Sequence, residues 1–214
     1  MKQNLPRGNL FVVAAPSGAG KTSLVKALIE SSENLEVAIS HTTRAMRKGE
    51  THAGSYYFVT REEFVALREA GGFAESAEVF GNYYGTSKAE IERITGKGRD
   101  IVLEIDWQGA NQIREKMPAA KTIFILPPSM QELNNRLHGR GQDDPETISA
   151  RMAEAIAEIS HYDEFDYVVI NDNFKVALGD LKRLISGSGE DLRVEACGAV
   201  LSPLLKDLLP EDRP

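Results

Sequence analysis

Residues 10–22 read Leu-Phe-Val-Val-Ala-Ala-Pro-Ser-Gly-Ala-Gly-Lys-Thr, and this stretch decides the fold. Its first five residues form a short apolar run. A glycine-rich turn follows at once, and then a segment of helical periodicity over residues 22–31. A buried strand, a tight loop and a helix in this order are typical of the first unit of a parallel α/β sheet.

The turn in this stretch fits a loop that binds phosphate groups. Residues 15–22 follow the pattern G-x-x-x-x-G-K-[ST], except that Ala15 stands at the first glycine. Alanine is acceptable there if its φ is negative, since only a positive φ makes glycine nearly obligatory. A tight turn alone would explain the glycines, but not Lys21 at the unfavourable end of a helix dipole unless an anion is bound.

The motif assigns a role to each part of the loop. Its backbone N–H groups converge on phosphate oxygens at the positive end of the following helix. We expect Lys21 to reach the β- and γ-phosphates and Thr22 to offer its hydroxyl to Mg²⁺. The residues expected to hold ATP are Ala15, Pro16, Ser17, Gly18, Ala19, Gly20, Lys21 and Thr22. The loop alone predicts use of ATP or GTP and leaves the acceptor open.

Apolar runs of the same kind recur at residues 101–105, 122–126 and 167–170, each followed by a helical pattern. Strands that alternate with helices predict an α/β fold of the P-loop NTPase type, a parallel sheet flanked by helices. Two segments interrupt the alternation. One is a small insertion with its own strands over about residues 40–90, in which Thr60 and Glu63 form a capping box that opens a helix to Ala70. The other is helical, over about residues 129–157, with helices opening at Ser129 and Pro145.

The predicted organisation is one domain over residues 8–186 and a C-terminal extension over residues 187–214, whose residues 201–209 suggest a short docking helix. Hydrophobic residues make up 42% of the 214 residues and charged residues 27%, which predicts a globular protein. The net charge of −7, without a run of five like charges, argues against nucleic acid and anionic membranes as partners. A single cysteine, Cys197, excludes an internal disulfide, and with no signal peptide or apolar span in view we expect a cytoplasmic protein. Whether it forms a homo-oligomer stays open.

A second cluster of polar residues lies at residues 40–58, Ser-His-Thr-Thr-Arg-Ala-Met-Arg-Lys-Gly-Glu-Thr-His-Ala-Gly-Ser-Tyr-Tyr-Phe. It places two arginines, several hydroxyls and aromatic rings close together in an acidic chain. Guanidinium groups match phosphate oxygens in a bidentate manner, and tyrosine hydroxyls supply further bonds. The cluster therefore suggests a monophosphate site, although Arg44 and Arg47 taken alone would fit solvated surface charges as well.

This segment and those that follow it resemble the guanylate kinase family. In that family an S-x-T-T-R-x-x-R stretch and a later tyrosine bind the phosphate of GMP, and the matching residues are Ser40, Arg44, Arg47 and Tyr56. An acidic residue upstream of G-N-Y-Y-G-[ST] reads the base, which by resemblance assigns guanine to Glu75 and Thr86, with Tyr84 on the phosphate. The chemistry agrees, because guanine offers N1–H and N2–H₂ as adjacent donors to a carboxylate and adenine does not.

The resemblance continues through residues 103–109 and beyond. It implies that Asp106 lies near the GMP site and that Glu104 is directed at the phosphate loop and its Mg²⁺, in contact through water. Both also fit as residues that simply end a strand. The resemblance further implies lid arginines that close over the phosphates, namely Arg136, Arg140 and Arg151, and an Asn171 near the adenine. Arg136 and Arg140 would share one helix face if the helix reaches that far.

Four motifs in family order over about residues 8–186 imply an ATP:GMP phosphotransferase of purine nucleotide metabolism. Its reaction would be direct in-line transfer from MgATP to GMP, giving ADP and GDP, with Lys21, Arg44 and the lid arginines stabilising charge. One alternative is a kinase of a phosphorylated sugar, which has no use for a guanine-reading Glu75 and Thr86. Another is a non-catalytic guanylate-kinase-like interaction module, which typically lacks a working phosphate loop. The four histidines show no relay or metal pattern.

Overall fold

The structure, a computed structural model, describes residues 7–79, 81–138 and 145–209. It divides into two compact units. The first comprises the chain up to Val12 together with Glu33–Ala120, and the second comprises Val13–Ser32 together with the chain from Lys121 onward. The predicted α/β class is confirmed. The domain boundaries expected from the sequence stay a prediction.

The five-stranded sheet contains β1 (Leu10–Ala14), β2 (Leu35–Val37), β7 (Asp100–Glu104), β8 (Lys121–Leu126) and β9 (Tyr167–Ile170). Their order is β2-β7-β1-β8-β9, and both β2 with β7 and β8 with β9 pair in parallel. Apart from the short β2, these strands consist largely of apolar runs, and Phe11, Val12, Ile101, Ile123 and Phe124 are at most 1% exposed. Burial on both faces explains why they show no alternation of apolar and polar residues.

The first unit also holds a four-stranded sheet, in the order β4-β3-β6-β5. Its strands are β3 (His41–Thr42), β4 (Tyr57–Phe58), β5 (Phe73–Val79) and β6 (Asn82–Ser87). Three helices accompany them, α2 (Arg61–Glu69), α3 (Lys88–Thr95) and α4 (Trp107–Lys116). The predicted capping box at the start of α2 is confirmed, because the Thr60 side chain accepts from the Glu63 N–H and the Glu63 carboxylate accepts from the Thr60 N–H.

The second unit holds α1 (Lys21–Glu30), α5 (Met130–His138), α6 (Pro145–Ile159), α7 (Phe174–Ile185) and α8 (Gly198–Leu208). Two short 3₁₀ turns, Tyr162–Glu164 and Glu190–Leu192, lie between these elements. The tail forms the expected helix, with Leu201 and Leu208 buried. Within the described part of the chain, no helix combines the length and the apolarity needed to cross a membrane.

Candidate functional site

The glycine-rich loop of the second unit connects β1 to α1 and lines a pocket of about 250 Å³. The pocket wall consists of loop and helix residues, with one carboxylate from α6; these are Ala15, Pro16, Ser17, Gly18, Gly20, Lys21, Thr22, Ser23 and Glu158. Because one water occupies roughly 30 Å³ of liquid, this pocket has room for a group of several heavy atoms. The structure also confirms the predicted order of a strand, a loop and a helix.

The N-terminus of α1 lacks the usual means of satisfying its N–H groups. Gly20 is the N-cap residue and provides no side-chain hydrogen bond, and the first turn, which is fully described, contains no acidic residue. Helix N-termini carry a partial positive charge and unpaired donors that favour anions. The start of α1, with Lys21 as its first residue and Thr22 as its second, is thus suited to a phosphate group.

Two glycines are required by the course of the loop. Gly18 and Gly20 have φ values of 90° and 93°, and a Cβ on Gly20 would lie 2.4 Å from Asn171 Nδ2. Ala15 is not among the residues with positive φ; in the described part of the chain Ala53 is the one such residue that is not glycine. Alanine at the first motif position is therefore unstrained.

Asn171 follows β9 and is 5% exposed. Its Nδ2 donates to the Ala19 carbonyl at 2.7 Å, which fixes the loop from the side. The backbone carbonyl of Asn171 accepts from Arg136 Nη2 at 3.1 Å. Arg136 Nε also donates to Glu132 Oε1 at 2.7 Å. The structure thus connects Asn171, predicted to lie near the adenine, directly with the loop and with one predicted lid arginine.

The other lid arginines have different outcomes. Arg151 lies in α6 and is half-buried. Arg140 lies outside the described residues, and the described helix α5 ends at His138, so the predicted shared face of Arg136 and Arg140 stays a prediction.

Glu75, in the first unit, is a buried carboxylate that is only 3% exposed. Its Oε1 accepts from the Thr86 backbone N–H at 2.6 Å across the β5–β6 pair. The Thr86 hydroxyl lies 3.0 Å from Ser40 Oγ, so three residues predicted from the sequence to bind GMP lie together. Asp106 is the N-cap of α4, accepting from the Gly109 N–H at 2.7 Å, and its charge acts on Glu75.

Burial raises the pKa of Glu75 from 4.5 to about 7. The hydrogen bonds from Thr86 and the positive charge of Lys116 act in the opposite direction, while the negative charge of Asp106 adds to the rise. Two donors from a ligand would favour the ionised form of this buried group. The ionised carboxylate can then accept both hydrogen bonds.

The predicted phosphate arginine Arg44 is engaged by a carboxylate that the sequence analysis did not single out. Its Nη2 and Nη1 donate to the two oxygens of Glu50 at 2.7 and 3.1 Å. The guanidinium also lies over the Tyr56 and Phe58 rings. The hydrogen bond from Arg44 and that from the Arg47 N–H hold the pKa of Glu50 below its usual range. The spacing of Glu50, six residues after Arg44 and three after Arg47, was the signal available for it.

Two further predicted residues, Tyr56 and Tyr84, lie near this arginine. The Tyr56 and Tyr84 rings are 6.1 Å apart, and the pKa of Arg44 is raised mainly by Glu50 and also by Tyr84. Burial raises the pKa of Tyr56, with a further contribution from the charge of Glu104. The Arg47 side chain is exposed. The structure therefore groups Arg44, Tyr56 and Tyr84, and it leaves Arg47 at the surface.

A further residue missing from the sequence analysis lies at the phosphate loop. Glu158, near the end of α6, accepts from the Ser17 N–H at 3.1 Å and lines the loop pocket. No local pattern marks it, because 141 residues separate it from Ser17.

An α/β fold in which a glycine-rich loop connects a buried strand to a helix that starts with Lys21 and Thr22 is typical of P-loop nucleotide-binding proteins. The guanylate kinase family model matches residues 7–188, so the chain belongs to the guanylate kinase family. A guanylate kinase of Pseudomonas fluorescens (strain Pf0-1) is 58% identical over 177 residues, covering 83% of this chain and 86% of that protein. One of Salmonella typhimurium is 52% identical over 209 residues, covering 95% and 100%.

A solved structure gives the same result. The crystal structure of guanylate kinase from Anaplasma phagocytophilum matches with a TM-score of 0.70 and 35% identity, over 97% of this chain and 98% of that one. The chain is therefore an enzyme, a nucleotide-binding transferase with the function of a guanylate kinase. Neither the sugar kinase nor the interaction module is favoured.

Proposed function

We propose that the chain transfers the γ-phosphoryl group of ATP to GMP, with Mg²⁺, and acts in the cytoplasm in purine nucleotide metabolism. The observation that carries the choice of GMP is the buried Glu75 carboxylate, held by the Thr86 N–H at 2.6 Å. A carboxylate at this position can accept from guanine N1–H and N2–H₂ together, and adenine has no such pair of donors.

The donor ATP would bind at the phosphate loop of the second unit. Three observations support this: the left-handed conformation of Gly20, the lack of an acidic residue in the first turn of α1, and the hydrogen bond from the Asn171 side chain to the loop. Lys21 would bind the β- and γ-phosphates, and Arg136, Arg140 and Arg151 would add positive charge around them. Adenine contact by Asn171 remains part of the proposal.

Mg²⁺ would be held mainly by the phosphates of ATP and by the exposed hydroxyl of Thr22, with Glu104 acting through water. No cluster of three or more His, Cys, Asp or Glu residues suited to a metal occurs among the described residues. Mg²⁺ keeps several waters and binds through few protein groups. When bound, the ion neutralises charge that develops on the phosphate oxygens.

The phosphate of GMP would bind to Ser40, Arg44, Arg47, Tyr56 and Tyr84, with Asp106 near the nucleoside. Arg44 is paired with Glu50, so a phosphate must share or replace that carboxylate. Two oxygens of a phosphate can accept the same fork of N–H donors, and the aromatic rings of Tyr56 and Phe58 keep the guanidinium in place. Arg44 would then orient the acceptor oxygen for transfer.

The choice of acceptor is tested with an assay of ADP formation from ATP in the presence of GMP, AMP, UMP or a ribose phosphate. We expect turnover with GMP and rates at least about a hundredfold lower with the others, since a mispaired buried carboxylate costs a few kcal/mol. Turnover with a ribose phosphate instead of GMP would contradict the proposal in favour of the sugar kinase. Nucleotide binding without any turnover would favour the interaction module.

A further inference from the structure

Strand β5, which carries Glu75, is the outer strand of the four-stranded sheet. An outer strand presents backbone N–H and C=O groups that no neighbouring strand pairs. Pairing with β6, from Phe73–Ser87 to Val79–Asn82, fixes the inner edge of this strand. Fixation of its outer edge comes from outside the sheet.

Helix α4 supplies that fixation through Gln112. The Gln112 Oε1 accepts from the Ser76 N–H at 3.1 Å, and the Gln112 Nε2 donates to the Ser76 carbonyl at 2.9 Å. The side-chain amide thus makes the two hydrogen bonds that a further strand would make at this residue. Ser76 is the neighbour of Glu75, so these two hydrogen bonds hold the backbone one residue from the buried carboxylate.

Lys116 makes a second contact one helical turn later, on the same face of α4 as Gln112. Its Nζ donates to the Ala74 carbonyl at 2.8 Å. Phe73 pairs with Ser87 and Glu75 pairs with Thr86, so Ala74 is an extra residue in β5 and forms a β-bulge. The hydrogen bond from Lys116 satisfies a carbonyl at that bulge.

The bulge decides on which face of the strand the Glu75 side chain lies. Side chains alternate along a strand, so moving the extra residue by one position would turn Glu75 to the opposite face, away from the Thr86 N–H. Helix α4 also approaches the carboxylate itself, because a Cβ on Gly109 would lie 3.0 Å from Glu75 Oε2. Helix α4 therefore contacts Ala74, the Glu75 carboxylate and Ser76, three successive residues of β5.

We propose that Gln112 and Lys116 are positioning residues for guanine selection, acting through the β5 backbone on both sides of Glu75. The inference rests on the proposed role of Glu75 as the base-reading residue. Neither side chain needs to touch the nucleotide. Their effect is on where the Glu75 carboxylate lies.

The test compares GMP with inosine monophosphate, which lacks the N2 amino group of guanine. For each variant of the full chain, the selection factor is the ratio of kcat/KM for GMP to kcat/KM for inosine monophosphate. Gln112→Met should lower the selection factor about tenfold and raise the KM for GMP about tenfold, with kcat changed less than about twofold and the KM for ATP unchanged. Glu115→Met, the same replacement at an exposed position of α4, is the matched control and should change none of these values.

Lys116 provides a second, independent pair of variants. Because Lys116 is exposed, we expect its replacement to leave folding intact. Lys116→Met removes both the donor and the charge and should lower the selection factor. Lys116→Arg retains both a donor for the Ala74 carbonyl and the positive charge, and it should restore most of the selection factor. If Gln112→Met does not fold, this pair alone decides the question.

Glu75→Gln separates this inference from the function on which it rests. A fall in selection for Glu75→Gln, Gln112→Met and Lys116→Met supports both. A fall for Glu75→Gln alone overturns the inference and leaves the proposed function intact. An unchanged selection factor in all three overturns both. Equal losses of kcat/KM for GMP and inosine monophosphate, with a lower melting temperature, would show that α4 only stabilises the fold.

Discussion

Lys21 is the residue on which we expect the proposed ATP site to depend most. Replacement by alanine should lower kcat by about 10²–10³-fold or more, because it removes a charge aimed at the transferring phosphate. GMP should still bind with unchanged affinity in a calorimetric titration, since the residues proposed to bind GMP belong to the first unit and Lys21 to the second.

The control for Lys21→Ala is Lys26→Ala, on the same helix. Lys26 is exposed and its ion pair with Glu30 is long, at 3.9 Å, so it should contribute little. Equal kcat values for Lys21→Ala and the unchanged chain would remove Lys21 from the mechanism.

Glu75 should make the free enzyme less stable as the pH rises. In the folded chain burial raises its pKa to about 7, against 4.5 for an ordinary glutamate. Its contribution to stability is therefore complete below pH 4.5 and is lost as the pH rises through about 7. The groups acting on it are Asp106 and Lys116, from α4, and Thr86, from β6.

This dependence is measured by denaturant unfolding of the unchanged chain and of Glu75→Gln, without nucleotide, at pH 5 and pH 8. Glu75→Gln should gain about 2–3 kcal/mol relative to the unchanged chain between these pH values, at about 1.4 kcal/mol per pH unit. A difference that does not vary with pH would mean that the folded chain tolerates the charged carboxylate. Glu78→Gln, an exposed position of the same strand, serves as the control.

At the scale of elements, the phosphate loop depends on the left-handed conformation at Gly20. Gly20→Ala should destabilise the chain by about 1–3 kcal/mol and raise the KM for ATP, because the Cβ requires both positive φ and a shift of Asn171. Gly179→Ala, in α7 with no atom within 4 Å of the new Cβ, should be neutral or stabilising by up to about 1 kcal/mol. Thermal unfolding and ATP kinetics of the two variants check the contrast, and equal behaviour would contradict it.

The elements that could be predicted from the sequence are those whose signal is local. The buried strands β1, β7, β8 and β9 are uninterrupted apolar runs, and the glycine-rich loop carries its own pattern. The capping box of α2 was likewise readable from Thr60 and Glu63.

The elements that escaped prediction depend on distant partners. β5 and β6 mix polar and aromatic residues instead of forming apolar runs, and the bulge at Ala74 is defined by the pairing of two strands. In the same way Asn171 lies 152 residues from the Ala19 carbonyl that it binds, and Gln112 lies 36 residues from Ser76. No pattern within a window of the chain reports such hydrogen bonds, although the resemblance to a family indicated Asn171 and Glu75 by position.

At the scale of the whole molecule, the residues of the proposed GMP site and those of the proposed ATP site fall in different units. Glu75, Thr86 and Arg44 lie in the first unit, whereas Lys21, Asn171 and Arg136 lie in the second. A variant in one unit should therefore change the KM of one substrate more than the KM of the other. With both substrates saturating, only groups that act on the transferred phosphoryl group should change kcat.

The central claim is transfer of a phosphoryl group from ATP to GMP, and identification of the products tests it most directly. Purified chain incubated with MgATP and GMP, with the nucleotides separated and counted, should give ADP and GDP in a ratio of one to one. ADP formed without GDP would show hydrolysis in place of transfer. Absence of both products, under conditions in which the chain is folded, would contradict the assigned activity altogether.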